Sequence, residues 1–435
     1  MVIAAKVVIV VAVIKRALIV GLIYLLIISS VLAKNVTTSD DGWMRTFGGA
    51  GEDVGTSVQE TNDGGYIITG STTSHKKNIA YSWLIKASRI GEIWLIKTDP
   101  EGNSIWEKTF GGLGKDIGFA VEQTKDDGYI VAGATKPQMI GDYDIWLIKT
   151  DSEGDLKWDT IFGGRGNDWP NAIQETTDGG YIITGGTESY GAGINNAFLV
   201  KTPLNANLWL IKTDSEGNSV WDRTFGGPGF DEGSSIQETA DGGYIITGYT
   251  TSCGAGGSDI WLVKTDPRGH KLWERTFGGP GEDVGFSVLE ARDPGYIITG
   301  GTDSYGNGSK DLWLIKTDLN GTEEWNKTFG GPGFDEGIAV QETEDDGYII
   351  AGYTTRHSEG AARSWLLNTD EKSYVWLVKT DSEGNLEWDR TFGGEGNDWA
   401  TAIDKTSNGG YIITGGTDST GDGSRDVLLI KTIGD

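Results

Sequence analysis

The pattern Phe-Gly-Gly-x-Gly-x-Asp occurs seven times in this chain, each time with a Trp four residues before its Phe. The Phe positions are Phe47, Phe110, Phe162, Phe225, Phe277, Phe329 and Phe392, so the steps between them are 63, 52, 63, 52, 52 and 63 residues. A period of about 50 residues with strand-like content marks a repeat architecture, most often a β-propeller. Seven copies predict seven blades. The repeats run from Trp43 to the C-terminus of a chain of 435 residues, so one large domain is expected, its core divided among the blades.

The fifth repeat reads as four strands. Trp273 to Phe277 is an aromatic and β-branched run that Gly-Gly-Pro-Gly interrupts. Asp283 to Glu290 is the next strand, and an Asp-Pro-Gly turn (Asp-Gly-Gly in most repeats) leads to Tyr296-Ile-Ile-Thr-Gly. Glycine there supplies the positive φ of a tight hairpin. A longer loop reaches Asp311-Leu-Trp-Leu-Ile-Lys, and Asp-x-x-Gly folds this fourth strand back onto Trp325 of the next repeat. The predicted fold class is therefore all-β: a seven-bladed propeller of four-stranded antiparallel blades. The chain opens with the strand at Trp43 and closes with Asp426 to Lys431, two strands that form one hairpin in every internal repeat. Their pairing should close the ring and remove two exposed edges.

In each repeat a Tyr (Tyr66, Tyr129, Tyr181, Tyr244, Tyr296, Tyr348, Tyr411) precedes a bulky residue by 17 positions. These residues, Trp83, Trp146, Phe198, Trp261, Trp313, Trp365 and Leu428, are expected to open the fourth strand. Repeats one, three and six carry a near copy of that strand 11 residues later, at Trp94, Trp209 and Trp376, which explains the 63-residue steps. Pattern alone does not choose between the copies. The displaced one is read as an exposed flap or as an edge that recruits a partner strand. The Trp residues at 43, 106, 158, 221, 273, 325 and 388 are read as inter-blade packing, each contributing at most roughly 4–6 kcal/mol at about 25 cal/mol per Å².

The full pattern, Trp-x-x-Thr-Phe-Gly-Gly-x-Gly-x-Asp, Asp-Gly-Gly-Tyr-Ile-Ile-Thr-Gly and Asp-x-Trp-Leu-Ile-Lys-Thr-Asp-x-x-Gly-Asn, resembles the SBBP-type seven-bladed β-propeller repeat of secreted and surface proteins of bacteria and archaea. The resemblance covers about nine-tenths of the chain and implies a propeller in an exported protein, with no particular activity. Thr-Asp-x-x-Gly-Asn-x-x-Trp is also similar to the tryptophan-docking motif of quinoprotein dehydrogenases. Those enzymes are typically eight-bladed, and many hold the quinone with a Cys-Cys pair and calcium. This chain has seven repeats and the single cysteine Cys253.

The first 33 residues hold three bases (Lys6, Lys15, Arg16) and no acid, and Ala17 to Ala33 is apolar apart from Tyr24, Ser29 and Ser30. Residues 1–33 are expected to hold one hydrophobic helix, as a cleaved export signal or a retained anchor, with 34–42 a linker and 43–435 the propeller. The expected location is extracellular or cell-surface, with residues 17–33 as the tether if retained. The formal charge of −27 argues against nucleic acid, whose phosphates need Lys and Arg, and against anionic lipid. Sequons at Asn35, Asn307, Asn320 and Asn326 agree with export.

Candidate sites lie where the longer loops gather, on the face shared by the Phe-Gly-Gly loops and the Thr-x-Ser-x-Gly loops. The seven motif aspartates, Asp53, Asp116, Asp168, Asp231, Asp283, Asp335 and Asp398, should circle the channel mouth. They are read first as caps of their own glycine loops and second as ligands of a Ca²⁺ ion, although no Asp-x-Asp-x-Asp-Gly loop occurs. The next position varies, and its Trp169, Trp399, Glu232 and Glu336 are the candidate ligand-binding residues, as sugar-stacking rings and carboxylates. A glycosidase would need its two carboxyls about 5–10 Å apart. No histidine recurs in register and no Gly-x-Ser-x-Gly elbow follows a strand, so no catalytic residue is assigned. The reading is a binding or interaction module for a protein or glycan at the loop face. The alternatives are a polysaccharide-acting enzyme and a structural envelope component.

Overall fold

A computed structural model describes residues 42–74, 91–112, 114–136, 142–192, 205–355 and 372–433. Among them every regular element is a strand, 28 in all, grouped as seven four-stranded antiparallel sheets. No helix among the described residues is long and apolar enough to cross a membrane. Six blades are consecutive in sequence. The seventh takes its outer strand, Trp43–Phe47, from the chain start, paired with Asp426–Thr432. The cut hairpin is thus rejoined, and seven sheets close into a ring in which each inner strand meets those of both neighbours.

The burial pattern follows from this arrangement. In blade 3 the inner strand (Asp168–Glu175) is half-buried, the second (Tyr181–Thr187) and third (Asn207–Thr213) are buried throughout, and the outer strand (Ser219–Phe225) is the most exposed, with no buried residue. Middle strands lie between two neighbouring sheets, so both of their faces must be apolar. Alternation divides the third strand between junctions. Trp209 and Ile211 pack with Ile130, Ile145 and Leu147 of blade 2, whereas Leu208 and Leu210 pack with Ile236, Ile246 and Trp261 of blade 4. The core is therefore a set of inter-blade layers.

The motif Trp residues seal these layers from outside. Trp106 of blade 1 meets Tyr129 of blade 2 edge-on at 5.8 Å between ring centroids, and Trp158, Trp221, Trp273 and Trp325 repeat the contact with the next blade's Tyr. Each indole also lies on the hairpin glycine of that next blade. At Gly217, with φ at +80°, an added Cβ would meet the Trp158 ring at under 3 Å, so both conformation and space require glycine.

The duplicated strand resolves against the 17-residue spacing. In blades 1, 3 and 6 the residues in the sheet are Trp94, Trp209 and Trp376, paired with Gly70, Gly185 and Gly352. They replace the expected Trp83, Phe198 and Trp365, which lie outside the described residues. Hairpin chemistry explains the choice. Each second copy is followed by Thr-Asp-x-x-Gly, whose glycines Gly102, Gly217 and Gly384 take φ of +77°, +80° and +74°. No first copy is followed by both the Asp and the Gly. Only the second can turn directly into the outer strand.

Candidate functional site

At the loop end, each motif aspartate is buried and spans its own glycine loop. Asp53 Oδ2 accepts the Gly49 amide at 3.0 Å and the Ser74 hydroxyl at 2.5 Å, and its Oδ1 accepts the Thr72 hydroxyl at 2.5 Å. Asp168, Asp231 and Asp283 repeat all three bonds through Gly164, Thr187 and Ser189, through Gly227, Thr250 and Ser252, and through Gly279, Thr302 and Ser304. Asp116 keeps Gly112 and Thr135, Asp398 keeps Gly394 and Ser419, and Asp335 keeps Gly331. Each carboxylate thus caps the loop that links one blade to the next. Burial pushes the Asp168 carboxyl above its ordinary range, against the pull of Ser189 and Thr187. The Thr and Ser partners were readable as the recurrent Thr-x-Ser that follows the second strand.

Trp169 and Glu232 come together across the junction of blades 3 and 4. The Trp169 indole donates to Glu232 Oε1 at 2.8 Å, Asn171 Nδ2 donates to the same oxygen at 2.5 Å, and the Tyr249 hydroxyl donates to Oε2 at 3.0 Å. Three rings form a ladder beside them. Trp169 stacks on Phe230 at 6.0 Å, and Phe230 on Tyr249 at 5.7 Å with planes 10° apart. Burial, then the Glu232 charge, raises the Tyr249 phenol.

Glu336 sits at the corresponding place in blade 6, within the same Gly-Gly-Pro-Gly-Phe-Asp-Glu-Gly run. Its Oε2 accepts the Tyr353 hydroxyl at 2.7 Å and its Oε1 lies 3.4 Å from Lys310 Nζ. The preceding blade offers Val284 where Trp169 stands, and Phe334 remains 45% exposed. Trp399 has the Arg425 guanidinium over its ring at 4.8 Å. Of the four predicted ligand residues, the structure joins only Trp169 to Glu232. Phe230, Phe334, Asn171, Tyr249, Tyr353 and Lys310 were not singled out in the sequence. The signal available was the in-register pairing of Glu232 with Tyr249 and of Glu336 with Tyr353, 17 positions apart. Among the described residues no three His, Cys, Asp or Glu side chains gather as a metal cage.

No protein-family model matches the chain. It is 26% identical over 267 residues to the regulatory protein FlaEY of Caulobacter vibrioides, covering 56% of this chain and 26% of that protein. It is 23% identical over 286 residues to an uncharacterized WD repeat-containing protein, L264, of Acanthamoeba polyphaga mimivirus, covering 57% of this chain and 19% of that one. The aligned regions are therefore a minor part of both relatives. Among solved structures, the Pan2 WD40 domain of Neurospora crassa superposes with a TM-score of 0.46 at 9% identity, over 89% of this chain and 90% of that one. This protein is a seven-bladed β-propeller.

Proposed function

We propose that this chain is an exported or surface-held propeller of the SBBP-repeat kind whose loop end holds a protein partner. The observation that carries the reading is Phe334. In blade 4 the same loop sequence stacks its half-buried Phe between two other rings, whereas in blade 6 the ring is exposed beside the Lys310–Glu336 pair. An exposed aromatic with partnered charges around it has the anatomy of an interface anchor with a polar rim. Export is supported by the apolar segment at 17–33 and the strongly acidic composition.

The polysaccharide-directed alternative uses Trp169, Trp399, Glu232 and Glu336, and each of these side chains already has an intramolecular partner. The envelope-component alternative rests on the duplicated strands, whose first copies lie outside the described residues. The test is affinity capture by the full chain from surface extracts of the source cells, comparing the native protein with Phe334→Asp. The expected result is a retained protein that is lost in the variant, together with recovery of the chain itself in the surface or secreted fraction. Equal retention by both forms would overturn the binding reading, and recovery in the cytosol would overturn export.

A further inference from the structure

The junction of blades 3 and 4 and the junction of blades 5 and 6 share one backbone frame at the loop end. In both, the following blade carries Gly-Gly-Pro-Gly-Phe-Asp-Glu-Gly. The Phe230 amide donates to Thr251 Oγ1 at 2.7 Å, and the Phe230 carbonyl accepts the Thr251 amide at 2.9 Å. Phe334 repeats both bonds with Thr355, at 2.6 and 2.9 Å. Each Phe also bridges the residue before the third strand of the preceding blade, which is Ala206 in one junction and Lys310 in the other. Tyr249 and Tyr353 hold Oε2 of Glu232 and Glu336 in the same way. The frames agree, so a difference in what they hold comes from the side chains.

At the first junction the frame holds an indole. Trp169 lies over Gly186, stacks on Phe230 and donates its N–H to Glu232 Oε1 at 2.8 Å. At the second junction the residue in its place is Val284, paired with Gly301 as Trp169 is with Gly186. The supplier of the ring is thus itself described, and it carries no ring. The Lys310 stem occupies the space instead, its Cδ 2.9 Å from where a Cβ on Gly301 would stand. Lys310 Nζ addresses the acceptor that the indole addresses in the other junction, but from 3.4 Å. A charge-assisted bond closes to about 2.7–2.9 Å, so Lys310 holds Glu336 Oε1 loosely. No aromatic ring of the described residues stacks on Phe334, which is 45% exposed.

We propose that the loop end between blades 5 and 6 is a socket for an indole, a tryptophan side chain of the protein partner. Phe334 is its stacking face, Glu336 Oε1 accepts its N–H, and Lys310 is a plug that swings out as the ring enters. Trp169 is the template, because the same frame in this chain already holds an indole by these two contacts. A phenylalanine would stack equally well but would leave Glu336 Oε1 without a donor once Lys310 has gone. Lys310 leaves readily, since its flexible stem delivers the ammonium to water. The socket deepens the partner-binding reading and rests on it.

The test is titration of the full chain with fluoroindole and with its N-methyl derivative, followed by fluorine NMR line broadening. The native protein should bind fluoroindole, and the N-methyl compound about tenfold more weakly because the bond to a carboxylate is lost. Lys310→Ala, which restores the alanine of the other junction, should bind about two- to fivefold more tightly. Val284→Trp combined with Lys310→Ala supplies the ring from the chain itself and should abolish binding. Phe334→Ala should abolish it too, and removes only an exposed ring, so the test stays decisive if the double variant fails to fold. No binding by the native protein or by Lys310→Ala would overturn the socket, as would equal binding of the two compounds or binding that survives Phe334→Ala. A surface partner that Phe334→Asp loses but the folded double variant retains would overturn the socket while leaving the partner-binding reading intact.

Discussion

At the turn end of a blade a carboxylate meets a buried lysine, whereas at the loop end a carboxylate meets another carboxylate. The same strand carries both situations, since the third strand of blade 4 starts with Asp259 and has Lys264 near its end. Lys97, Lys149, Lys212, Lys264 and Lys379 lie almost wholly buried and reach Asp63, Asp126, Asp178, Asp241 and Asp345 at 2.8–2.9 Å. Lys316 reaches Glu324 instead, at 3.2 Å. The four-carbon stem allows a buried strand to deliver its charge to a half-exposed turn. The short acids at the loop end have no such reach, and they abut the capped aspartate of the next blade.

The two ends respond to protons with opposite sign. Burial raises the turn-end carboxyls Asp178 and Asp241, but hydrogen bonds from Thr176 and Lys212, and from Thr239 and Lys264, outweigh it and hold both at about 2. Their stabilisation is complete above the ordinary carboxylate range and is lost as pH falls toward 2. At the loop end, burial first and the facing aspartate second raise Asp144, Asp259, Asp311 and Asp426. Their folded state retains protons that the unfolded chain releases, so that contribution declines as pH rises through the carboxylate range. A strand can thus be acid-labile at one end and base-labile at the other.

Breaking a turn-end pair should have the largest effect. Lys212→Ala strips the buried amine from Asp178 and from the Thr213 carbonyl, and should cost about 2–4 kcal/mol, read from the urea midpoint at neutral pH. A loss below about 0.5 kcal/mol would mean that hydration of the exposed Asp178 replaces the pair.

An intermediate effect should come from the exception to the rule at the turn end. Five inner strands place Gln59, Gln174, Gln237, Leu289 and Gln341 one residue before their end, and two place Glu122 and Asp404 there. Glu122 accepts the Glu175 amide at 2.6 Å, and Asp404 accepts the Glu60 amide at 3.1 Å. Burial, with repulsion from Glu175 adding to it and the amide bond opposing, pushes Glu122 to about 7, and burial pushes Asp404 to about 6. A raised carboxyl stabilises only while protonated, so this contribution is present below about pH 4.5 and lost as pH rises through 7. Glu122→Gln should therefore be nearly neutral at pH 4 and should stabilise by about 1–3 kcal/mol at pH 8, in paired urea titrations. An equal effect at both pH values would assign the change to packing instead.

The smallest effect should come from extending the rule to blade 7. Lys431 has the neutral partners Asn408, at 2.8 Å, and Thr406, and burial lowers its pKa. Asn408→Asp restores the ion pair of the other blades and should stabilise by about 0.5–1 kcal/mol at pH 7, with the gain disappearing on acidification below about pH 3. A destabilising outcome would show that blade 7 tolerates no further charge beside its closing strand.

Much of this architecture was legible because repeat period and hairpin chemistry are local. Asp-Gly-Gly turns, Thr-Asp-x-x-Gly turns and the Trp before each Phe-Gly-Gly loop occur at constant offsets, and each has a backbone reason to be there. The site was less legible. Trp169 and Trp399 stand at equivalent positions, yet one caps a three-ring ladder and the other lies under Arg425. Phe230 and Phe334 share their loop sequence, and their difference arises from the preceding blade, where Trp169 is replaced by Val284.

Blade number, strand count and the rejoined hairpin at the ends were determined by the sequence alone, because periodic burial admits one way of covering seven like units. Which copy of the duplicated strand enters the sheet was written locally too, in the turn that follows it, although spacing suggested the other. Only the tertiary structure decided which rings are covered and which carboxylates already have donors. Those outcomes depend on contacts between adjacent repeats, and such contacts are set by the identity of a neighbour about 50 residues away, beyond the reach of any local pattern.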